Sequence, residues 1–106
     1  MTAPKDMPRR TPPRSAAALL LLLLTTCGSE RATASDCAAI LDRIVALELG
    51  EQGFVDPELT RRKQAEFARR FTAELARCEG LSLPPGARAC VETAPSAEYV
   101  SHVCLR

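Results

Sequence analysis

The chain is 106 residues long, 46% hydrophobic and 4% aromatic, with 14 Lys/Arg against 13 Asp/Glu and a formal net charge of +1. Such a balance argues against a nucleic-acid partner, which needs a strongly basic face. So short a chain has room for one domain with a thin core, and its five cysteines point to cross-links as the compensation.

In chain order, the first feature is a leader. Lys5, Arg9, Arg10 and Arg14 outnumber Asp6 in a proline-broken basic stretch, and nine apolar residues follow without a break from Ala16 to Leu24. This is the layout of a secretory signal peptide, read here as residues 1–26 and removed on export. The apolar run is too short for a permanent membrane span, which needs about 20 residues. Arg9-Arg10 is followed by Thr11-Pro12-Pro13 instead of apolar residues, which disfavours a twin-arginine signal.

Leu24-Thr25-Thr26-Cys27 closes the run and resembles the lipobox of bacterial lipoproteins. Leu24 stands three positions before the cysteine, as in that pattern, and Thr25 also matches. Thr26 departs from it, because Gly, Ala or Ser usually precedes the cysteine. The resemblance implies that Cys27 becomes a lipidated N-terminus whose acyl chains bind the membrane. Several chains anchor stably where one holds only marginally. Gly28, in place of the Asp that retains lipoproteins at the inner membrane, implies the periplasmic face of the outer membrane. The alternative is an ordinary signal peptide, giving a secreted or periplasmic protein with Cys27 incidental.

Beyond the leader the balance changes sign. Residues 27–106 hold ten Lys/Arg and twelve Asp/Glu, a net of −2, so the positive charge belongs to the leader. Residues 28 to 35 are small, polar and aperiodic and read as the tether of a lipidated segment 27–35. Residues 36–106 read as the domain. Its four cysteines, Cys37, Cys78, Cys90 and Cys104, read as two disulfides in an exported protein. Their spacing, with 40, 11 and 13 intervening residues and no Cys-x-x-Cys, does not suit zinc.

The expected fold class is all-α: a small disulfide-stapled helical domain of two longer and two shorter helices. Ser35 or Asp36 caps the first helix, Cys37, Ile40, Leu41, Ile44 and Leu47 recur at helical spacing, and Gly50 offers a stop. Asp56-Pro57 opens a second long helix with Leu59, Phe67, Ala68, Phe71, Leu75 and Cys78 along one stripe, closed at Gly80. Pro84-Pro85-Gly86 makes an elbow before a short helix carrying Ala87, Cys90, Val91 and Ala94. Ser96 caps a last helix with Tyr99, Val100, Val103 and Cys104. No stretch alternates with a period of two, so no strand is expected. Antiparallel packing brings all four cysteines towards one end, and two pairings survive: Cys37–Cys78 with Cys90–Cys104, or Cys37–Cys104 with Cys78–Cys90.

Little in the chain carries chemistry. No nucleophile–base–orienter set is recognisable, so no catalytic residue, metal ligand or cofactor is assigned and the protein is read as a non-enzyme. His102 stands alone and reads as structural. The arginines of the second helix alternate with acids: Glu58–Arg62, Glu66–Arg70 and Glu74–Arg77 lie three or four apart, as on a salt-bridged, solvated face. Tyr99, Phe54, Phe67 and Phe71 read as core. Phe54, in the Gly53 turn, is also a candidate for partner contact, as are Arg62, Arg69 and Arg70.

Residues 37 to 104, through Cys37, Cys78, Cys90 with Val91 and Ala94, and Cys104, resemble a loose class of small four-cysteine helical domains in exported bacterial proteins. That resemblance implies no particular activity. The reading is a lipid-anchored envelope module, monomeric, that meets an unidentified envelope protein. The alternative is a thiol-dependent redox or enzymatic accessory of the periplasm, although catalytic cysteine pairs are typically spaced Cys-x-x-Cys.

Overall fold

The computed structural model describes residues 30–106. The proposed signal peptide and Cys27 lie outside the described residues. The domain is mostly helical and cross-linked by two disulfides, as the sequence predicts. In chain order it comprises β1 (Glu30–Arg31), α1 (Ala34–Glu51), α2 (Pro57–Arg70), α3 (Thr72–Cys78), β2 (Ser82–Leu83), α4 (Ala87–Thr93) and α5 (Ala97–Tyr99). A π-helical segment (Val100–Cys104) continues α5.

Two short strands correct the expectation of none, and they also shorten the tether. β1 and β2 pair antiparallel, Glu30 opposite Leu83 and Arg31 opposite Ser82. The pairing extends as the Ala32 N–H donates to the Leu81 carbonyl at 2.7 Å and the Gly80 N–H donates to that of Ala32 at 2.8 Å. Ala32 is buried. The stretch expected to be loose up to Ser35 is therefore built into the domain from Glu30 onward. Two-residue strands leave no alternation to read, which is why the sequence is silent about them.

The first cap also differs. Thr33, not Ser35 or Asp36, caps α1: its Oγ1 accepts from the Asp36 N–H, and Asp36 Oδ2 accepts from the Thr33 N–H. This capping box satisfies two amides at the helix start reciprocally. Gly50 does not stop α1, which runs on to Glu51; Gly53 makes the turn with φ +89°, a left-handed conformation that favours glycine. Asp56 then caps α2, accepting from the Glu58 N–H at 3.0 Å with Pro57 in the first turn.

The long second helix of the sequence reading is two helices, α2 and α3, interrupted at Phe71. Thr72 Oγ1 donates back to the carbonyls of Ala68 and Arg69, at 3.3 and 2.8 Å. Such back-bonding weakens and bends helices. The Gln64 side chain donates to the Asp42 carbonyl at 2.9 Å, and Cys78 bonds to Cys37. These contacts show that α2 and α3 run antiparallel to α1. Ser96 caps α5 by accepting from the Tyr99 N–H, as expected.

The cysteines choose between the two pairings: Cys37 bonds to Cys78 and Cys90 to Cys104, with Cα–Cα distances of 6.1 and 5.5 Å. The first staple ties the start of α1 to the end of α3, and the second ties α4 to the π-helical segment. Around them lies the core, made of Ala32, Cys37, Ile40, Leu83, Ala87, Val91, Ala94, Val100 and Cys104, with Ile44, Leu47, Leu75 and Leu105 packed against it. Most of these side chains are small, so the disulfides stand in for apolar volume that the chain lacks.

Two arginines complete the join between α1 and α4. Arg43 donates from Nε and Nη2 to the carbonyls of Val91 and Ala94, at 3.2 and 2.9 Å. Cationic donors suit a helix C-terminus, where carbonyls lack partners. Arg88 of α4 forms an ion pair with Asp36 of α1 and another, at 3.6 Å, with Glu92.

Candidate functional site

The core occupies one side of α1, facing α4, α5 and β2. The other side faces α2, which contributes no buried residue at all. An apolar trough of about 450 Å³ opens there, floored by Leu41, Ile44, Val45 and Leu49 of α1 and walled by Phe67 and Phe71. Glu48, Gln52 and Lys63 form its polar rim. A second depression, lined by Cys37, Ile40, Leu75 and Cys78, shares Leu41, Ile44 and Phe71 with it, so the apolar strip continues to the first disulfide.

Helical spacing produces this strip. Leu41, Ile44, Glu48 and Gln52 follow one another at three- and four-residue intervals, with Val45 four residues beyond Leu41, and Phe67 and Phe71 repeat at four. The two rings stack with centroids 5.7 Å apart and planes within 4°. The Arg70 guanidinium lies over Phe67, 5.5 Å from its centroid. Apolar walls without a covering layer are what a binding surface presents on a small domain.

The aromatic residues read as core are placed otherwise. Phe54 is 49% exposed and Tyr99 40%, and Phe67 and Phe71 are half-buried in the trough wall. None of the four belongs to the buried cluster. Phe54 sits in the α1–α2 turn, its N–H donating to the Leu49 carbonyl at 2.8 Å, beside Val55, which is 85% exposed. That turn is the far end of α1 from the β1–β2 ladder.

The basic residues of α2 and α3 are largely solvated. Glu66 pairs with Lys63 at 3.2 Å and Arg70 at 3.8 Å, and Glu74 pairs with Arg77 at 3.3 Å. The expected Glu58–Arg62 pair does not form, and Arg62 and Arg69 are exposed without an ion pair among the described residues. The structure therefore separates the four contact candidates: Arg70 flanks the trough, Phe54 marks the hairpin tip, and Arg62 and Arg69 lie on the open face of α2. Sequence reasoning missed the trough itself, although its apolar residues at helical spacing were visible.

His102 is exposed on the π-helical segment, beside Ser96, Glu98, Tyr99 and Val103. Among the described residues no group of three or more His, Cys, Asp or Glu is placed to hold a metal ion. All four cysteines described are in disulfides. No described helix is long and apolar enough to cross a membrane. Comparisons with protein-family models, with curated proteins and with solved structures find no match.

Proposed function

We propose that the protein is a small lipoprotein of the bacterial cell envelope, held at a membrane through lipid on Cys27, whose stapled helical domain is a non-enzymatic protein-interaction module. The observation that carries this reading is the division of the five cysteines. Four close two disulfides inside the helical domain. Cys27 stands apart, three residues beyond Leu24, the last residue of the apolar run. Disulfides suit an oxidising compartment, in keeping with export.

The periplasmic face of the outer membrane is the destination that Gly28 favours. The domain offers a partner two apolar features, the trough and the Phe54–Val55 tip. A thiol-dependent accessory is the competing reading; it would need one of the disulfides to cycle.

Mass spectrometry of the exported protein tests the proposal, since it reports the cleavage site, the lipid mass and the thiol count together. The expected result is an N-terminal Cys27 bearing acyl chains and no alkylatable thiol before reduction. Wild-type protein should partition into detergent, while Cys27→Ser should not. Identical fractionation of the two would remove the anchor, and two readily alkylated thiols would replace the scaffold by the redox reading.

A further inference from the structure

We propose that the open trough is a self-association surface, through which two copies of the chain pack their α1–α2 hairpins into a four-helix bundle. Two antiparallel helices joined by a short turn, with apolar side chains along one open face, are half of such a bundle. Leu41, Ile44, Phe67 and Phe71 provide that face. A domain with so small a core gains from oligomerisation what it lacks in buried apolar volume.

Charge selects a second copy as the occupant. On the α1 side of the trough the rim carries Glu48, with Glu51 exposed three residues on. On the α2 side it carries Lys63, with Arg70 over the neighbouring Phe67. Glu66 pairs with both cations, but Lys63 and Arg70 remain 41% and 62% exposed. A two-fold axis parallel to the helices lays α1 of each copy over α2 of the other, so the acidic rim meets the basic rim twice. An axis perpendicular to the helices would set α1 on α1, acid against acid. The surface is thus complementary to itself in one arrangement.

The same arrangement leaves both β1 strands at one end of the bundle. Two chains anchored through Cys27 would then leave it towards a single membrane; this point rests on the lipid-anchor reading, while the trough and the charges do not. The sequence alone suggests a monomer, because periodicity does not show which apolar stripe the fold leaves uncovered.

Sedimentation equilibrium tests the proposal on the full exported chain in detergent and on its Cys27→Ser form. Both should be dimers. Glu48→Lys and Lys63→Glu should each weaken the dimer by at least about tenfold, since each sets like charges together at both symmetric contacts. Mixing the two variants should restore a dimer, because the mixed pair has opposite charges at both contacts. A monomeric wild type overturns the proposal. So does a dimer that neither substitution weakens, or variants of wild-type helix content and melting temperature that fail to pair when mixed. A dimer of wild-type chains whose mass shows no lipid would sink the anchor and leave the dimer standing; a lipidated monomer would do the reverse.

Discussion

Arg43 belongs to α1, yet its guanidinium serves α4, holding the Val91 and Ala94 carbonyls at the end of that helix. Its side chain is half-buried, so removing it leaves those carbonyls without a charged donor. Arg43→Met should lower stability by about 1.5–3 kcal/mol in urea unfolding, the range for a hydrogen bond to a charged group. Asp36 is the comparable anion. Hydrogen bonds from the Thr33 backbone and hydroxyl, and then from Arg88, hold its carboxyl below the ordinary value of 3.8. A carboxyl lowered in the folded state contributes stability above its unfolded value and loses it as pH falls through the folded one. Unfolding midpoints should therefore fall on acidification below about pH 5, and Asp36→Asn should flatten that acid limb. An unchanged limb would place the titration elsewhere.

Within elements, the two glycines near the end of α1 make opposite predictions. A Cβ at either meets nothing within 4 Å, so space decides neither case. Gly50 lies inside α1 without a positive φ, and Gly50→Ala should stabilise by about 0.5–1 kcal/mol through helix propensity. Gly53 has φ +89°, and Gly53→Ala should cost about 1 kcal/mol or more, because a side chain is strained there. Asp56→Ala should cost about 1 kcal/mol through the lost cap. Thermal melts of the three variants check these signs. If Gly53→Ala proved as stabilising as Gly50→Ala, the turn would not hold the left-handed conformation.

For the whole molecule, the two staples constrain the unfolded chain unequally. Cys37–Cys78 spans 41 residues and Cys90–Cys104 spans 14. Loop-closure entropy gives the longer one about 4 kcal/mol and the shorter about 3. Replacing the first pair by alanine should be the more damaging change, read as the larger fall in the denaturation midpoint. The losses act on different joins: the first releases α3 from the start of α1, the second frees the π-helical segment from α4. Both pack against the core that Ala32, β2 and α1 share, so cooperative unfolding is expected of the native protein.

Much of this architecture is legible in the order of residues, because its signals are local. Asp56-Pro57 and Ser96 start helices where caps predict them, an even set of four cysteines in so small a domain predicts two disulfides, and Leu41, Ile44 and Phe67 fall at helical spacing. The proposed anchor at Cys27 rests on sequence alone. Other features depend on residues far apart in the chain. Ala32 meets Gly80 and Leu81 across the turn at the end of α3, Arg43 finds Val91 and Ala94, and Asp36 finds Arg88. The choice of Cys37–Cys78 over Cys37–Cys104 is of the same kind, decided by which helix ends come within 6.1 Å. Periodicity establishes that α1 carries apolar residues on more than one flank. Only packing decides that α4 and α5 cover one flank while the trough beside α2 stays open, because covering a surface depends on what the rest of the chain can bring to it.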